Sequence, residues 1–330
     1  MIPVPNLKCG APIMVSTDLT LSPGQTQSPP LGELNFGTRY SILIDEIRFR
    51  IKSTNGNNPS LAPTRVSDLR GNIRVDLKVG RIGITDGFTP VWSFGRVNSN
   101  DQFYFNPAGD SSALAPTGIK VITQSVWRFH TPMYMPPSAL IQPLFTYNTG
   151  SFATTGVALQ PAEINMTVCG RAVIPGQPIP ARWPIPSTLF YEATPAGYQT
   201  SHGSQLSNQS RNDLHIRRMT LRVWDQRAVP PATPNGEVYY GADYLDTSAE
   251  EPASTGLLYR IRDREGTMLT KDYVPGPLLV DLNSRSWLMD SLLPHEDYYR
   301  VEVQQTPNPA SSVAGLYSHI CFVGSRMEEI

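Results

Sequence analysis

The chain is poor in charge and cysteine, and it has no long apolar run. Only 17% of its 330 residues are charged, and 27 basic against 28 acidic side chains leave a formal net charge of −1. No run of Lys or Arg stands out, so direct sequence-specific nucleic-acid binding has no electrostatic footprint. No segment approaches the ~20 apolar residues that span a bilayer. The start, Met1 to Lys8, lacks the basic lead and apolar core of a secretory signal. Cys9, Cys169 and Cys321 are odd in number and far apart, which fits neither a disulfide framework nor zinc-ligand spacing. Reduced thiols in a chain made in a cytoplasm are the expectation. His130, His202, His215, His295 and His319 are too dispersed for a cupin-like metal site, which needs a closely spaced pair on one strand. A nucleophile elbow and a glycine-rich phosphate loop are also missing from the sequence. No catalytic, cofactor-binding or metal-ligating residue is therefore assigned.

Proline and glycine are abundant instead, at 31 and 25 residues. That composition suits many short strands joined by turns and disfavours long helices, so the class is all-β. One strand is written twice: Ile42, Ile44, Ile47, Phe49 and Ile51 recur 172 residues later as Leu214, Ile216, Met219, Leu221 and Val223. In both copies the apolar positions alternate by two, skip one residue at Asp45-Glu46 or Arg217-Arg218, and resume on the other parity. A skipped beat of this kind predicts a β-bulge.

The elements that follow recur in order. After the first bulged strand, Ile73, Val75, Leu77 and Val79 alternate with Arg74, Asp76 and Lys78, as a half-buried strand requires. Shorter β signals at Val91 to Phe94 and Phe103 to Phe105 precede Ile119 to Phe129, Ala139 to Tyr147 and Glu163 to Val173. The second copy continues through Leu257 to Leu269 and Tyr273 to Leu282. Its Trp287 and the segment from Pro294 parallel Trp127 and the segment from Pro137. Each half closes on an apolar strand holding a cysteine, Cys169 or Cys321. The predicted organisation is an extended arm at 1–38, a first jelly roll at 39–174, a proline-rich linker at 175–211, a second jelly roll at 212–327 and a tail at 328–330. Each jelly roll is expected to be an eight-stranded sandwich.

Several residues invite a chemical reading. The acidic pairs Asp45-Glu46, Glu250-Glu251 and Glu296-Asp297 suit acid–base work only if burial raises one pKa. Arg217-Arg218 stands where Asp45-Glu46 stands in the other copy, which predicts electrostatic contacts between barrels or subunits. Glu237, Asp243, Asp246, Glu250 and Glu251, with Tyr239, Tyr240 and Tyr244, read as an exposed acidic loop without the dense alternation of a calcium loop. Trp127, Phe129, Trp287 and Tyr298 read as core, with a sugar-stacking platform as the alternative. Asn165 and Asn208 match the glycosylation sequon, which needs a surface position.

The paired bulged strands Tyr40 to Ile51 and Asp213 to Trp224, the proline-rich crossover and the paired closing strands resemble the double jelly-roll major capsid proteins of tailless icosahedral viruses, especially bacteriophages with an internal membrane. The resemblance covers residues 38 to 327. It implies a homotrimer whose six barrels form a pseudo-hexagonal capsomer within a virion shell. Neighbouring capsomers, penton or minor capsid proteins, and an internal viral membrane where one is present would be its partners, without enzymatic activity or cofactor. Two similar barrels per chain in a three-fold ring offer six similar lateral faces, which tile a surface. The inserts Ser53 to Gly71, Val97 to Gly118 and Gln226 to Thr255 would face outward, and residues 1–38 would reach a neighbour or the membrane. Two alternatives stand beside this reading: a carbohydrate-binding or spike protein of two β-sandwich modules, and a hydrolase resembling the glycoasparagine amidases, which also pair two jelly rolls.

Overall fold

The computed structural model describes residues 7–29, 40–54, 69, 71–94, 102–105, 120–149, 159–193, 201–225, 236–237, 257–270, 272–281, 286–305 and 316–329. It divides into two compact units, residues 1–188 with 325–330, and residues 189–324. Most of the three inserts named above, and the acidic loop, lie outside the described residues, as do Glu250-Glu251.

Ten strands precede the crossover: β1 (Cys9–Leu21), β2 (Thr26–Gln27), β3 (Ile42–Thr54), β4 (Ile73–Val79), β5 (Ile82–Gly83), β6 (Thr89–Pro90), β7 (Gln102–Phe105), β8 (Lys120–Met135), β9 (Ile141–Tyr147) and β10 (Ala162–Val173). Nine follow: β11 (Arg182–Ala193), β12 (Ser201–Ser207), β13 (Leu214–Asp225), β14 (Gly236–Glu237), β15 (Leu257–Arg262), β16 (Val274–Pro275), β17 (Ser286–Leu293), β18 (Tyr298–Gln305) and β19 (Leu316–Glu329). One four-residue helical turn, Gly276–Leu279, follows β16.

The first set forms sheets ordered β1-β10-β3-β8-β7 and β2-β9-β4-β5, with β6 on β4. The second set forms β11-β19-β13-β14, with β17 on β13, and β12-β18-β15-β16. Eight strands of the first set match eight of the second: β1 with β11, β2 with β12, β3 with β13, β4 with β15, β6 with β16, β8 with β17, β9 with β18 and β10 with β19. Matching of both chain order and sheet order is what two facing antiparallel sheets of one jelly roll, made twice, require.

This correspondence corrects the arm and the linker. Residues 9–21, expected to extend away, are hydrogen-bonded along β10 from Cys9 opposite Val173 to Leu21 opposite Ala162. β11 and β12 lie inside the stretch read as linker. The prolines of that stretch misled because Pro184 and Pro186 sit within β11 itself. In the matched arrangement β1 and β11 are the same edge strand, and an edge tolerates a residue without a backbone donor. Val91 to Phe94 likewise forms a buried turn instead of a strand.

Alternation fixes each core. In β4, Ile73, Val75, Leu77 and Val79 are buried while Arg74, Asp76 and Lys78 face outward. They pack in the first unit beside an aromatic group in which Phe49 meets Phe94 and Phe145 edge-on at 5.7 and 6.1 Å, and Phe94 meets Trp127 at 4.5 Å. In the second unit Ile216, Met219, Leu221, Tyr259, Ile261, Val301, Val303, Ile320 and Phe322 form one core.

Local details repeat as well. Ser138 and Glu296 have positive φ, 65° and 60°, in turns closed by Ala139 N to Pro136 O and Asp297 N to Pro294 O. Pro294 therefore answers to Pro136, one residue before the Pro137 that the sequence pointed to. In each unit a buried threonine clasps the strand before it. Leu77 N donates to Thr85 Oγ1 at 2.8 Å and Ile261 N to Thr270 Oγ1 at 2.9 Å, while Thr85 N and Thr270 N donate back to the carbonyls of Leu77 and Ile261. Thr85→Val or Thr270→Val leaves a buried N–H without that acceptor. Each is expected to cost about 1–3 kcal/mol, read as a lowered urea midpoint, with the serine variants, which keep the hydroxyl acceptor, avoiding most of that loss.

Candidate functional site

In a sandwich whose inner faces are filled, chemistry has to reside on the outer sheet faces, edges and loops. The two bulges open onto the outer faces and lie where the alternation predicts. Between β10 and β3, Cys169 stands opposite Glu46 and Gly170 opposite Ile44, leaving Asp45 as the extra residue. The β3–β8 ladder breaks at the same step. Between β13 and β17 the ladder breaks between Ile216 and Arg218, where Arg217 alone faces Met289 and Asp290.

The charges at these bulges are matched within their own sheets. Asp45 receives both Nε and Nη2 of Arg171, at 3.0 and 2.8 Å. Glu46 receives Arg48 Nε at 2.6 Å and Arg128 Nε at 2.9 Å. In the second unit Arg217 donates to Asp290 Oδ1 at 2.8 Å, and His215 Nε2 meets the same oxygen at 2.6 Å. The His215 hydrogen bond and the Arg217 charge hold Asp290 below the usual carboxylate range. The inverted signs that led to an expected contact between barrels or subunits thus have a local cause. An acid at the first bulge answers an arginine on β10, and an arginine at the second answers an acid on β17.

The remaining candidates are spread out. His319 is buried on β19, with Nε2 3.1 Å from Glu192 Oε2 and its ring 5.2 Å from Phe190. His295 lies in the Pro294 turn, its Nδ1 2.5 Å from the carbonyl of Ser210. Glu296 and Asp297 belong to that turn, with Glu296 exposed. His130 is exposed on β8, and the His202 side chain lies outside the described residues. All three cysteines are free thiols. Burial pushes the Cys169 thiol up, against the pull of Arg48, which lowers its thiolate fraction and hence its nucleophilicity. Among the described residues no group of three or more His, Cys, Asp or Glu side chains is placed to hold a metal ion, and no helix is long and apolar enough to cross a membrane.

Trp127 is buried and Phe129 packs on it edge-on at 5.1 Å, while Trp287 packs against the second core. Phe129 and Trp287 are half-buried, each set against its own unit's packed side chains. Asn208 is buried and its amide donates to the carbonyls of Asn212, Leu293 and Pro294, a position no glycan can reach. Asn165 is half-buried and donates to Asp18 at 2.8 Å.

One cluster escaped sequence reasoning. Glu302 on β18 is buried, its side chain 4% exposed. It accepts Arg260 Nε at 2.6 Å, Arg262 Nη2, and the Tyr273 hydroxyl at 3.2 Å, and lies 3.0 Å from Arg300 Nε. Arg260 also covers the Tyr273 ring at 4.4 Å. The available signal was the alternation of Arg260 and Arg262 with Tyr259 and Ile261, and of Arg300 and Glu302 with Tyr299, Val301 and Val303. It places all four charges on one outer face.

No protein-family model matches the chain, and no curated protein matches it in sequence. Solved structures do match over nearly its full length. The PBCV-1 virus capsid, a quasi-atomic model, shares 13% identity at a TM-score of 0.50, covering 99% of this chain and 96% of that one. The STIV MCP shares 12% at a TM-score of 0.54, covering 95% and 96%. The structure of Sulfolobus Turreted Icosahedral Virus includes a chain sharing 11% at a TM-score of 0.54, covering 96% and 91%. At these identities the likeness speaks to architecture, and with the strand-for-strand repeat it establishes the fold: the chain is a double jelly roll, as are the viral capsid proteins it resembles.

Proposed function

We propose that this chain is a structural protein, the major capsid protein of an icosahedral virus, which self-assembles as pseudo-hexagonal trimers. The observation that carries the reading is the twofold repetition of one jelly roll, in chain order and sheet order, along a chain matched over 95–99% of its length by capsid structures. Two like barrels in each of three copies give six like lateral faces, and a near-hexagonal tile needs no more. The charge balance of −1 supports dense packing, since copies of such a chain repel one another little. The location is then the virion shell, after synthesis in the host cytoplasm. Neighbouring capsomers, with penton or minor capsid proteins and an underlying membrane where one is present, are the partners.

A catalytic role is not proposed. The Asp45 and Glu46 carboxylates are already taken up in ion pairs with arginines on their own sheet. Native mass measurement tests the assembly. A three-copy mass, with particles or hexagonal arrays by electron microscopy, is expected; a monomer at the highest soluble concentration overturns the reading.

A further inference from the structure

The two barrels differ at one matched place on their outer faces. In the first unit Leu43 on β3 stands opposite Tyr134 on β8, and both are buried, at 5% and 4% exposed. They are covered by Leu7 and Trp183, which with Val173 form a separate apolar cluster outside the main sandwich. Trp183 lies 5.7 Å from the Tyr134 ring, and its indole N–H donates to the carbonyl of Pro132 at 2.8 Å. In the second unit the matched residues are His215 and Leu292, which also stand opposite each other. Leu292 is 59% exposed, and Leu288 on the same face of β17 is 73% exposed. Leu288 stands opposite Arg218, where the first unit has the solvent-facing ion pair of Arg128 with Glu46. One barrel therefore finishes this face with its own tryptophan and a hydrated charge pair. The other leaves two leucines open among the described residues.

The charge on this strip points to the occupant. Along β17 the exposed positions alternate Leu288, Asp290, Leu292. A charge on an exposed strand ordinarily protects it from association, but Asp290 is engaged by both His215 and Arg217. The strip is thus apolar and locally balanced, which favours a surface of the same near-neutral chain over a strongly charged partner. Within the sheet order, β17 pairs with β13 on one side only among the described residues. We infer that the Leu288–Leu292 face of β17 is a contact surface for a second copy of this chain, occupied there by an apolar side chain as Trp183 occupies the matched place in the first barrel. This rests on the proposed self-assembly and assigns one of its contacts.

The test is thiol labelling of Leu292→Cys and Leu288→Cys in assembled and dissociated protein, read peptide by peptide by mass spectrometry. Both positions are solvent-facing, so the fold is not at risk. Labelling is expected to slow at least tenfold on assembly. A Leu288→Lys/Leu292→Lys variant is expected to raise the dissociation constant at least tenfold, while Leu278→Lys, at a leucine 79% exposed on the helical turn, leaves it unchanged. Assembled protein that labels at the dissociated rate, or a double-lysine variant that assembles as the parent does, overturns this assignment and leaves the assembly reading standing. A parent chain that never associates overturns both.

Discussion

Alanine at Gly170 or at Gly324 is expected to destabilise the protein by about 3 kcal/mol or more, among the largest effects open to a single added methyl. Neither glycine has a positive φ; what requires it is space. A Cβ on Gly170 would overlap the carbonyl oxygen of Leu43 and sit 3.1 Å from the Cα of Ile44. A Cβ on Gly324 would overlap the carbonyl oxygen of His215 and sit 2.9 Å from the Cα of Ile216. These are matched atoms in the two barrels, the carbonyls lying two residues before Asp45 and Arg217. Beside each bulge that carbonyl stands against the neighbouring strand, and only a residue without a side chain can pass beneath it. Because the obstacle is backbone inside a ladder, no rotamer change relieves the overlap. Gly10→Ala and Gly83→Ala are the controls, since their nearest neighbours would be 3.9 and 3.7 Å away; both should stay within about 0.5 kcal/mol of the parent. Urea unfolding followed by circular dichroism reads all four. A Gly170→Ala midpoint equal to those of the controls would contradict the tight crossing.

The same glycines show where the sequence was legible and where it was not. The bulges were readable because a parity change in apolar residues has one simple structural meaning, and Ile44–Glu46 and Ile216–Arg218 break register where the pattern slips. The glycine beneath each bulge was not, because an isolated glycine in a strand has many explanations. The cysteines that drew attention to the closing strands are not equivalent. With Gly170 matched to Gly324, Cys169 answers to Val323, and Cys321 lies two positions earlier. The matched spacing also drifts, from 172 residues at Ile44 and Ile216 to 158 at Ser138 and Glu296 and 154 at Gly170 and Gly324. Loops of unequal length cause the drift, so a search at one offset recovers one strand. β1 and β11 escaped for a different reason. Edge strands carry weak alternation and tolerate proline, so composition made one an arm and the other a linker. Pairwise facts such as Trp183 over Tyr134, or three arginines on Glu302, depend on register between distant strands, which no local pattern encodes.

Removing the charge of Glu302 should cost the second unit about 3 kcal/mol, near the low end of what breaking a buried ion pair costs. The low end applies because Arg260 and Arg262 keep 25% and 26% of their side chains exposed, so water partly hydrates the abandoned charges. The penalty remains substantial because Arg262 and Arg300 stand directly opposite each other across the β15–β18 ladder. Like charges so placed repel, and the Glu302 carboxylate is what bridges them. Burial alone would raise the Glu302 pKa, but the hydrogen bonds from Arg262 and Arg260 outweigh it and hold the group below its ordinary value. A carboxylate with a lowered folded pKa contributes stability above its unfolded value of about 4.3, and that contribution fades as pH falls through the folded value. The stability difference between the parent and Glu302→Gln should therefore be full at neutral pH and shrink on acidification below about pH 4.3, because the protonated parent comes to resemble the amide. Adding Arg300→Gln to Glu302→Gln should recover part of the loss by removing one of the two opposed charges. Urea titrations of the parent, the single variant and the double variant at neutral and acidic pH decide the matter. A gap that stays constant with pH, or a double variant weaker than the single, would show that Glu302 acts by packing and that its charge is incidental.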